Sequence, residues 1–136
     1  MRAGRGTNGV PVIAAFGRST AQSAAVASVA ALTVPATDSS YIVSVNILVT
    51  TATTHTFTAT VAYTDEGNSA RTLTVPFVLV AGSAIVTSVT NTNGAVPYMG
   101  FDLHIRAKAG TTITVATTGT FTTVTYNVEA SIVKIN

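Results

Sequence analysis

The stretch GTTITVATTGTFTTVTYNVEASIVKI, residues 110–135, decides the fold class of this chain. Nine of its 26 residues are threonine, and two carry a charge. Threonine and valine are β-branched and fit the pleated surface of a strand better than a helix. From Val124 to Ile132 apolar and polar residues alternate, which is the period of a strand with one buried face. The stretch therefore predicts two strands separated by a turn at Gly119.

The same alternation occurs in three other segments, residues 41–50, 54–65 and 101–108. Residues 41–50 also hold apolar residues on their second face, which predicts a central strand. The sequence Asp-Glu-Gly-Asn at 65–68 separates two such segments and is typical of a β-turn.

Two N-terminal segments are less regular. Residues 10–16 are compatible with a first strand. The alanine-rich residues 21–34 fit either a helix or a strand, and the strand is favoured in their second half because no firm helical stripe is present.

Short strands separated by turn signals at intervals of roughly 8–15 residues indicate an all-β protein. We expect an antiparallel β-sandwich or jelly roll of about eight strands. The glycine- and arginine-containing residues 1–18 are predicted to be an extended N-terminal arm, and residues 19–136 a single β-sandwich domain.

Composition narrows the possible functions. Only 9% of the residues are charged, against roughly 25% in ordinary domains, and 26 threonines and 10 serines supply most of the polarity. The seven Lys and Arg residues are scattered and the net charge is +2, so no nucleic-acid binding is expected. The absence of cysteine excludes disulfides, thiolate metal sites and cysteine nucleophiles. No targeting segment and no membrane span are predicted.

Ionisable residues are dense at one place only, where Asp102, His104, Arg106 and Lys108 share one face of a strand. Asp102 could orient His104 as a base. We favour the alternative that these charges solvate an outer face or form a subunit contact, because no motif marks a nucleophile. The acidic turn at 65–68 is likewise more typical of a β-turn than of a cation site. No enzyme activity, metal or cofactor is expected.

Runs of Thr-x-Thr place hydroxyl groups in rows on strand faces, at residues 56–60, 72–74, 112–114 and 123–125. Such rows are similar to those of ice-binding proteins, although a repeated scaffold is missing here. Cross-strand pairing of threonines explains them equally well, at about 0.2–1 kcal/mol per pair. Uncharged strands also pair readily with other chains unless they are covered, which favours a protein that lives in a permanent assembly.

A resemblance adds to this interpretation. The segment LHIRAKAGTTITVATTGTFTTVTYNVEASIVKI (103–135), with YIVSVNILVTTATTHTFTATVAYTDEG (41–67) before it, resembles small bacteriophage virion proteins of the jelly-roll kind, found as head decoration (cement) proteins and fibre tips. The resemblance covers roughly residues 40–135, and its matched features are strand and turn patterns.

The resemblance implies a homotrimer, made in the host cytoplasm, that binds the major capsid protein or other virion proteins on the particle surface. Arg2, Arg5 and Arg18 of the arm are then the candidate capsid contacts. One alternative is a tail-fibre, spike or head-fibre domain that binds a host receptor such as a glycan. Its aromatic candidates are Tyr41, Tyr63, Tyr98 and Tyr126, of which three occupy inward positions. A threonine-rich ice-binding or adhesive protein is the other alternative.

Overall fold

The computed structural model describes residues 11–75, 78–80, 84–86, 89–91 and 99–136. Within these ranges all regular structure is β. The strands are β1 (Val12–Gln22), β2 (Ala30–Thr33), β3 (Ser39–Thr64), β4 (Ala70–Val75), β5 (Val78–Val80), β6 (Ala84–Val86), β7 (Val89–Asn91), β8 (Met99–Ala107) and β9 (Thr112–Lys134). No helix in the described ranges is long and apolar enough to cross a membrane.

Two long strands form the centre of the fold. β3 and β9 pair antiparallel over most of their lengths, from Tyr41 opposite Lys134 to Ala62 opposite Thr114. β1 and β2 pair with the other edge of β9, while β4, β7 and β8 pair with the other edge of β3. β5 and β6 pair only with each other among the described strands.

The β3–β9 ribbon folds over on itself. Ala107, the last residue of β8, pairs with Ser39 at the start of β3 and also bridges Asp65, just after the end of β3. Both ends of a 26-residue strand therefore meet one residue, which a straight strand cannot do. A register shift between Val49 and Thr51 and a φ of 135° at Gly119 lie in the folded part. The predicted turn at Gly119 is thus a bend within one continuous strand.

This fold-over creates two antiparallel layers of four strands. The first layer runs β1–β9–β3–β8, and the second runs β2–β9–β3–β4, so each layer contains one half of β3 and one half of β9. A ribbon rolled into two facing sheets is a jelly roll. The predicted all-β sandwich of about eight strands is confirmed.

The core lies between the layers and follows the sequence alternation. The inward positions of β3 and β9 are almost fully buried: Tyr41, Val43, Val45, Ile47, Val49, Ala59 and Val61 on β3, and Ile113, Val115, Val124, Tyr126, Val128, Ala130 and Ile132 on β9. Each buried valine or isoleucine contributes about 1.5–3 kcal/mol relative to exposure. The predicted inward faces of residues 41–50 and 124–132 are confirmed, and so is the central position of residues 41–50.

The predicted boundary of the arm at residue 18 is wrong. Residues 12–18 belong to β1, which pairs with β9 from Val12 opposite Lys134 to Gln22 opposite Tyr126. Without β1, the backbone groups along this edge of β9 would be unpaired. Pairing them stabilises residues 12–18 as a strand, although glycine and arginine in this segment suggested an arm. The remaining part of the arm, residues 1–10, lies outside the described residues.

Gly17 explains how closely β1 approaches the second layer. A Cβ atom at this position would lie 1.6 Å from the carbonyl oxygen of Val29, just before β2. Only glycine permits the contact. Residues 21–34 contain no helix, and the strand expected in their second half is β2.

Candidate functional surfaces

The outer face of the first layer is divided into two ends. Ile13 of β1 lies opposite Val133 of β9, which lies opposite Ile42 of β3, and Phe16 occupies the next outward position of β1. We call these four residues the apolar end. Ile13 is 62% exposed and Phe16 is 60% exposed, whereas Val133 and Ile42 are partly covered.

The other end of this face is polar and contains a shallow depression of about 150 Å³. Its side chains come from three strands: Arg18 of β1, Glu129 and Asn127 of β9, and Asn46 and Leu48 of β3. Register brings them together, because Glu129 pairs with both Arg18 and Asn46, and Asn127 pairs with Leu48.

Two contacts fix the walls of the depression. Arg18 Nε lies 4.0 Å from Glu129 Oε2, a loose ion pair between exposed side chains. Asn127 Oδ1 accepts a hydrogen bond of 2.8 Å from the backbone N–H of Ala21. Ala21 has a left-handed φ of 53° and lies in a bulge of β1 between Ser19 and Gln22.

The three arginines predicted to contact a capsid are not equivalent. Arg18 lies on a strand of the sandwich, next to Glu129, and not on an extended arm. It belongs to β1 because this segment pairs with the edge of β9, which is also why the arm does not extend to residue 18. Arg2 and Arg5 lie outside the described residues.

The predicted charged face on β8 is present, and its four members play different parts. Asp102, His104 and Arg106 are exposed on the outer face, and Lys108 follows directly after the strand. Arg106 forms an ion pair with Glu66, and Lys108 Nζ donates a hydrogen bond of 2.9 Å to Asn68 Oδ1. These two contacts tie β8 to the turn at 65–68.

Asp102 and His104 form no hydrogen bond with each other in the described part of the chain. The carboxylate therefore does not orient the imidazole, and the catalytic interpretation gains no support. A subunit contact at this face stays a prediction.

The acidic turn at 65–68 is a β-turn, as predicted. The backbone N–H of Asn68 donates to Asp65 O at 2.9 Å. The Asp65 carboxylate accepts from the Ser69 N–H at 2.8 Å and from Arg71 Nε at 2.6 Å. These bonds lower the pKa of Asp65, the Ser69 contact most. The carboxylate is thus occupied by the turn itself, and the described residues hold no cluster of His, Asp and Glu that fits a metal ion.

The second layer carries a different outer face, which consists of threonine and alanine alone. Four strands contribute to it, and we call it the threonine face: Ala31, Thr33, Thr60, Ala62, Thr64, Ala70, Thr72, Thr74, Thr112, Thr114 and Ala116. All of these residues are exposed or partly exposed. The Thr-x-Thr runs at 72–74 and 112–114 therefore meet on one uncharged surface.

Two of the four tyrosines that were candidates for a glycan contact are buried. Tyr41 and Tyr126 are fully buried in the core, and burial raises the pKa of each. The Tyr126 hydroxyl donates to Ala24 O at 2.7 Å and lies 2.7 Å from Thr117 Oγ1. The Tyr41 hydroxyl has no well-aligned partner among the described residues, although the nearby Ser39 hydroxyl partly offsets the effect of burial on its pKa. Tyr98 lies outside the described residues, and Tyr63 is partly buried.

Comparison with known proteins gives only remote similarity. No protein family and no curated protein matches the sequence. A family 22 carbohydrate binding module of Clostridium thermocellum Xyn10B shares 16% identity and a TM-score of 0.38, over 77% of this chain and 62% of that one. A xylan-binding domain from the same family shares 15% identity and a TM-score of 0.35, over 77% and 64%.

A third structure, the N-terminal modules of Clostridium thermocellum xylanase 10B complexed with xylohexaose, shares 14% identity and a TM-score of 0.39, over 95% of this chain and 25% of that one. This chain spans less than two thirds of each of the three structures. Similarity this low carries no argument about function.

Proposed function

We propose that this chain is a structural protein of a bacteriophage virion, in the form of a homotrimer that decorates and stabilises the head shell. The observation that carries the proposal is the apolar end of the first layer, where Ile13 and Phe16 are 62% and 60% exposed on an edge strand. Burying each such side chain contributes about 1.5–3 kcal/mol, and contact with a neighbouring protein surface would supply that burial.

The surroundings of the apolar end fit a protein contact. Its neighbours on the same face are polar or charged, with Arg18 and Glu129 on one side and His104 at the β8 edge. An apolar centre with a polar rim is the usual composition of a subunit interface. β1 pairs only with β9 among the described strands, so its outer edge also offers backbone groups to a neighbour.

The virion assignment is supported by the sequence resemblance of residues 40–135 to phage decoration and fibre proteins. The sparse charge supports it as well, because contacts made without ion pairs depend little on salt. On this proposal the apolar end faces other copies of the chain or the major capsid protein.

The first test is the native mass in dilute solution, measured by light scattering across a salt series. We expect a trimer that persists at high salt. The double substitution Ile13→Ser with Phe16→Ser should dissociate it, while Thr72→Ser on the threonine face should not. A stable 13.8 kDa monomer under all conditions would contradict the proposal.

The location in the particle needs a separate experiment. Antibody raised against the purified protein should label the whole head of intact particles. Label restricted to the tail would overturn the decoration role and favour the fibre alternative.

The threonine face favours a second candidate function, an ice-binding or adhesive surface. Its threonines recur about 6.6 Å apart along β4 and β9, and Thr33 lies opposite Thr112 and Thr60 opposite Thr74 on strands about 4.8 Å apart. The test is thermal hysteresis of the purified protein, with Thr114→Val on the central strand β9 and Thr72→Val on the edge strand β4 as variants. Wild-type protein without hysteresis at high concentration would remove this candidate.

A further inference from the structure

The depression on the polar end of the first layer is not explained by the proposed assembly role. We propose that it binds one neutral sugar ring of a glycan. The binding site is lined by the outward residues Arg18, Asn46, Leu48, Asn127 and Glu129, together with the buried residues Ile47 and Val128. It lies beyond the apolar end on the same face, so a shell contact at Ile13 and a sugar at Asn127 can coexist.

The size of the depression suits one ring. Its volume is about 150 Å³. A cavity of about 150 Å³ is known to hold benzene, so a six-membered ring is the scale of ligand that it accommodates. A longer glycan would place one ring in the depression and extend along the open face.

The polar lining selects a neutral ligand with many hydroxyl groups. Arg18 supplies only donors and Glu129 only acceptors, and their charges cancel at a separation of 4.0 Å. Asn46 and Asn127 carry amides, which both donate and accept. A phosphate would be repelled by Glu129 and a cation by Arg18, whereas a sugar hydroxyl can donate and accept at once.

An apolar side chain borders this polar set and can contact the C–H face of a sugar ring. Leu48 lies in the depression and is 37% exposed. An exposed leucine beside amides and a carboxylate offers both an apolar and a polar contact to a sugar.

Part of the site is pre-organised. The hydrogen bond from the Ala21 N–H holds Asn127 Oδ1 in one direction, so the amide does not need to be ordered on binding. Asn46, Leu48, Asn127 and Glu129 lie on the two central strands β3 and β9, each of which is paired along both edges in this layer.

The test is a two-dimensional ¹⁵N–¹H NMR titration of the whole protein with millimolar methyl glycosides of neutral hexoses, pentoses and N-acetylhexosamines. At least one glycoside should shift the side-chain amide signals of Asn46 and Asn127 and the Nε–H signal of Arg18. Asn46→Ala and Glu129→Gln should each weaken that binding about five- to tenfold, as expected for one lost hydrogen bond. Thr114→Ser on the threonine face is the matched control and should leave it unchanged.

Two results would overturn the inference. One is the absence of shifts at these groups with every glycoside. The other is an unchanged glycoside affinity in both Asn46→Ala and Glu129→Gln, which would show that the sugar binds elsewhere. Neither result bears on the native mass or on the head labelling, so the sugar site and the assembly role can fail separately.

Discussion

The hydroxyl of Thr117 lies 2.7 Å from the hydroxyl of Tyr126, although the two residues are nine positions apart on one strand. In an extended strand those residues would be about 30 Å apart, so the contact exists only because β9 folds over. Val26 N–H donates to Thr117 Oγ1 at 2.8 Å, and Tyr126 Oη donates to Ala24 O at 2.7 Å. One consistent chain of hydrogen bonds therefore links the segment before β2 to both halves of β9.

Breaking this chain should destabilise the folded state. Tyr126→Phe leaves the buried Thr117 hydroxyl without its partner and removes the bond to the Ala24 carbonyl, which costs about 1–3 kcal/mol. Thr117→Val should cost a similar amount. Because both substitutions break the same link, the double variant should lose less than the sum of the two, as measured by urea unfolding. Additive losses would show that the two hydroxyls are not coupled.

Stability should fall at alkaline pH. Burial raises the pKa of Tyr41 and of Tyr126 above the ordinary value near about 10. Their contribution is fully present below about pH 10 and is lost as the pH rises through the folded-state pKa, because the unfolded chain ionises first. The urea midpoint should stay level up to about pH 9 and then drop. A Tyr126→Phe variant should show a shallower drop, and an equal drop would contradict the assignment.

Stability should also fall at acid pH, through Asp65 in the turn at 65–68. Hydrogen bonds lower the pKa of Asp65, so its contribution is present above about pH 4 and is lost as the pH falls through the folded-state pKa. Asp65→Asn should flatten the acid limb of the stability profile. Asp102→Asn, on the exposed face of β8, is the control. If both variants have the wild-type acid limb, the turn does not contribute.

The close approach of β1 to the second layer gives a steric prediction. Gly17→Ala places a methyl group where the Val29 carbonyl lies, so β1 must shift away, at a cost of about 1–3 kcal/mol or more. Ala14→Val adds bulk at an exposed position of the same strand and should change the free energy of unfolding by less than about 0.5 kcal/mol. Equal effects of the two substitutions would show that the contact is not tight.

The alternation of apolar and polar residues was sufficient to predict which face of each strand is buried. It was not sufficient to predict how the strands are arranged in space. Alternation identifies Val43 and Val128 as inward because a period of two is a property of each strand alone. It does not show that β3 and β9 fold over, since the pattern is the same before and after the bend. Residues 10–16 were recognised as a possible strand but were still assigned to the arm 1–18, because their partner strand lies more than a hundred residues away in sequence.

The candidate sites within one segment could be predicted from the sequence, whereas those built from several strands could not. The charged positions of β8 were visible as i, i+2 neighbours in one segment. The depression was missed, because Arg18, Asn46 and Glu129 come from three strands and meet only through register. The one available signal was a set of outward amides and charges in otherwise apolar or threonine-rich strands. The threonine face likewise needed the register of four strands.

Because each layer contains half of β3 and half of β9, neither layer is a unit that can come apart by itself. Opening one sheet disrupts the other, so unfolding should be all-or-none, and the backbone amides in the centres of both strands should show one common free energy of opening in hydrogen exchange. The same arrangement makes folding of the single chain slow. Most contacts join parts of the chain that are distant in sequence, and such contacts form slowly. Before the β3–β9 ribbon folds over, its apolar face is exposed and can associate with other copies of the chain.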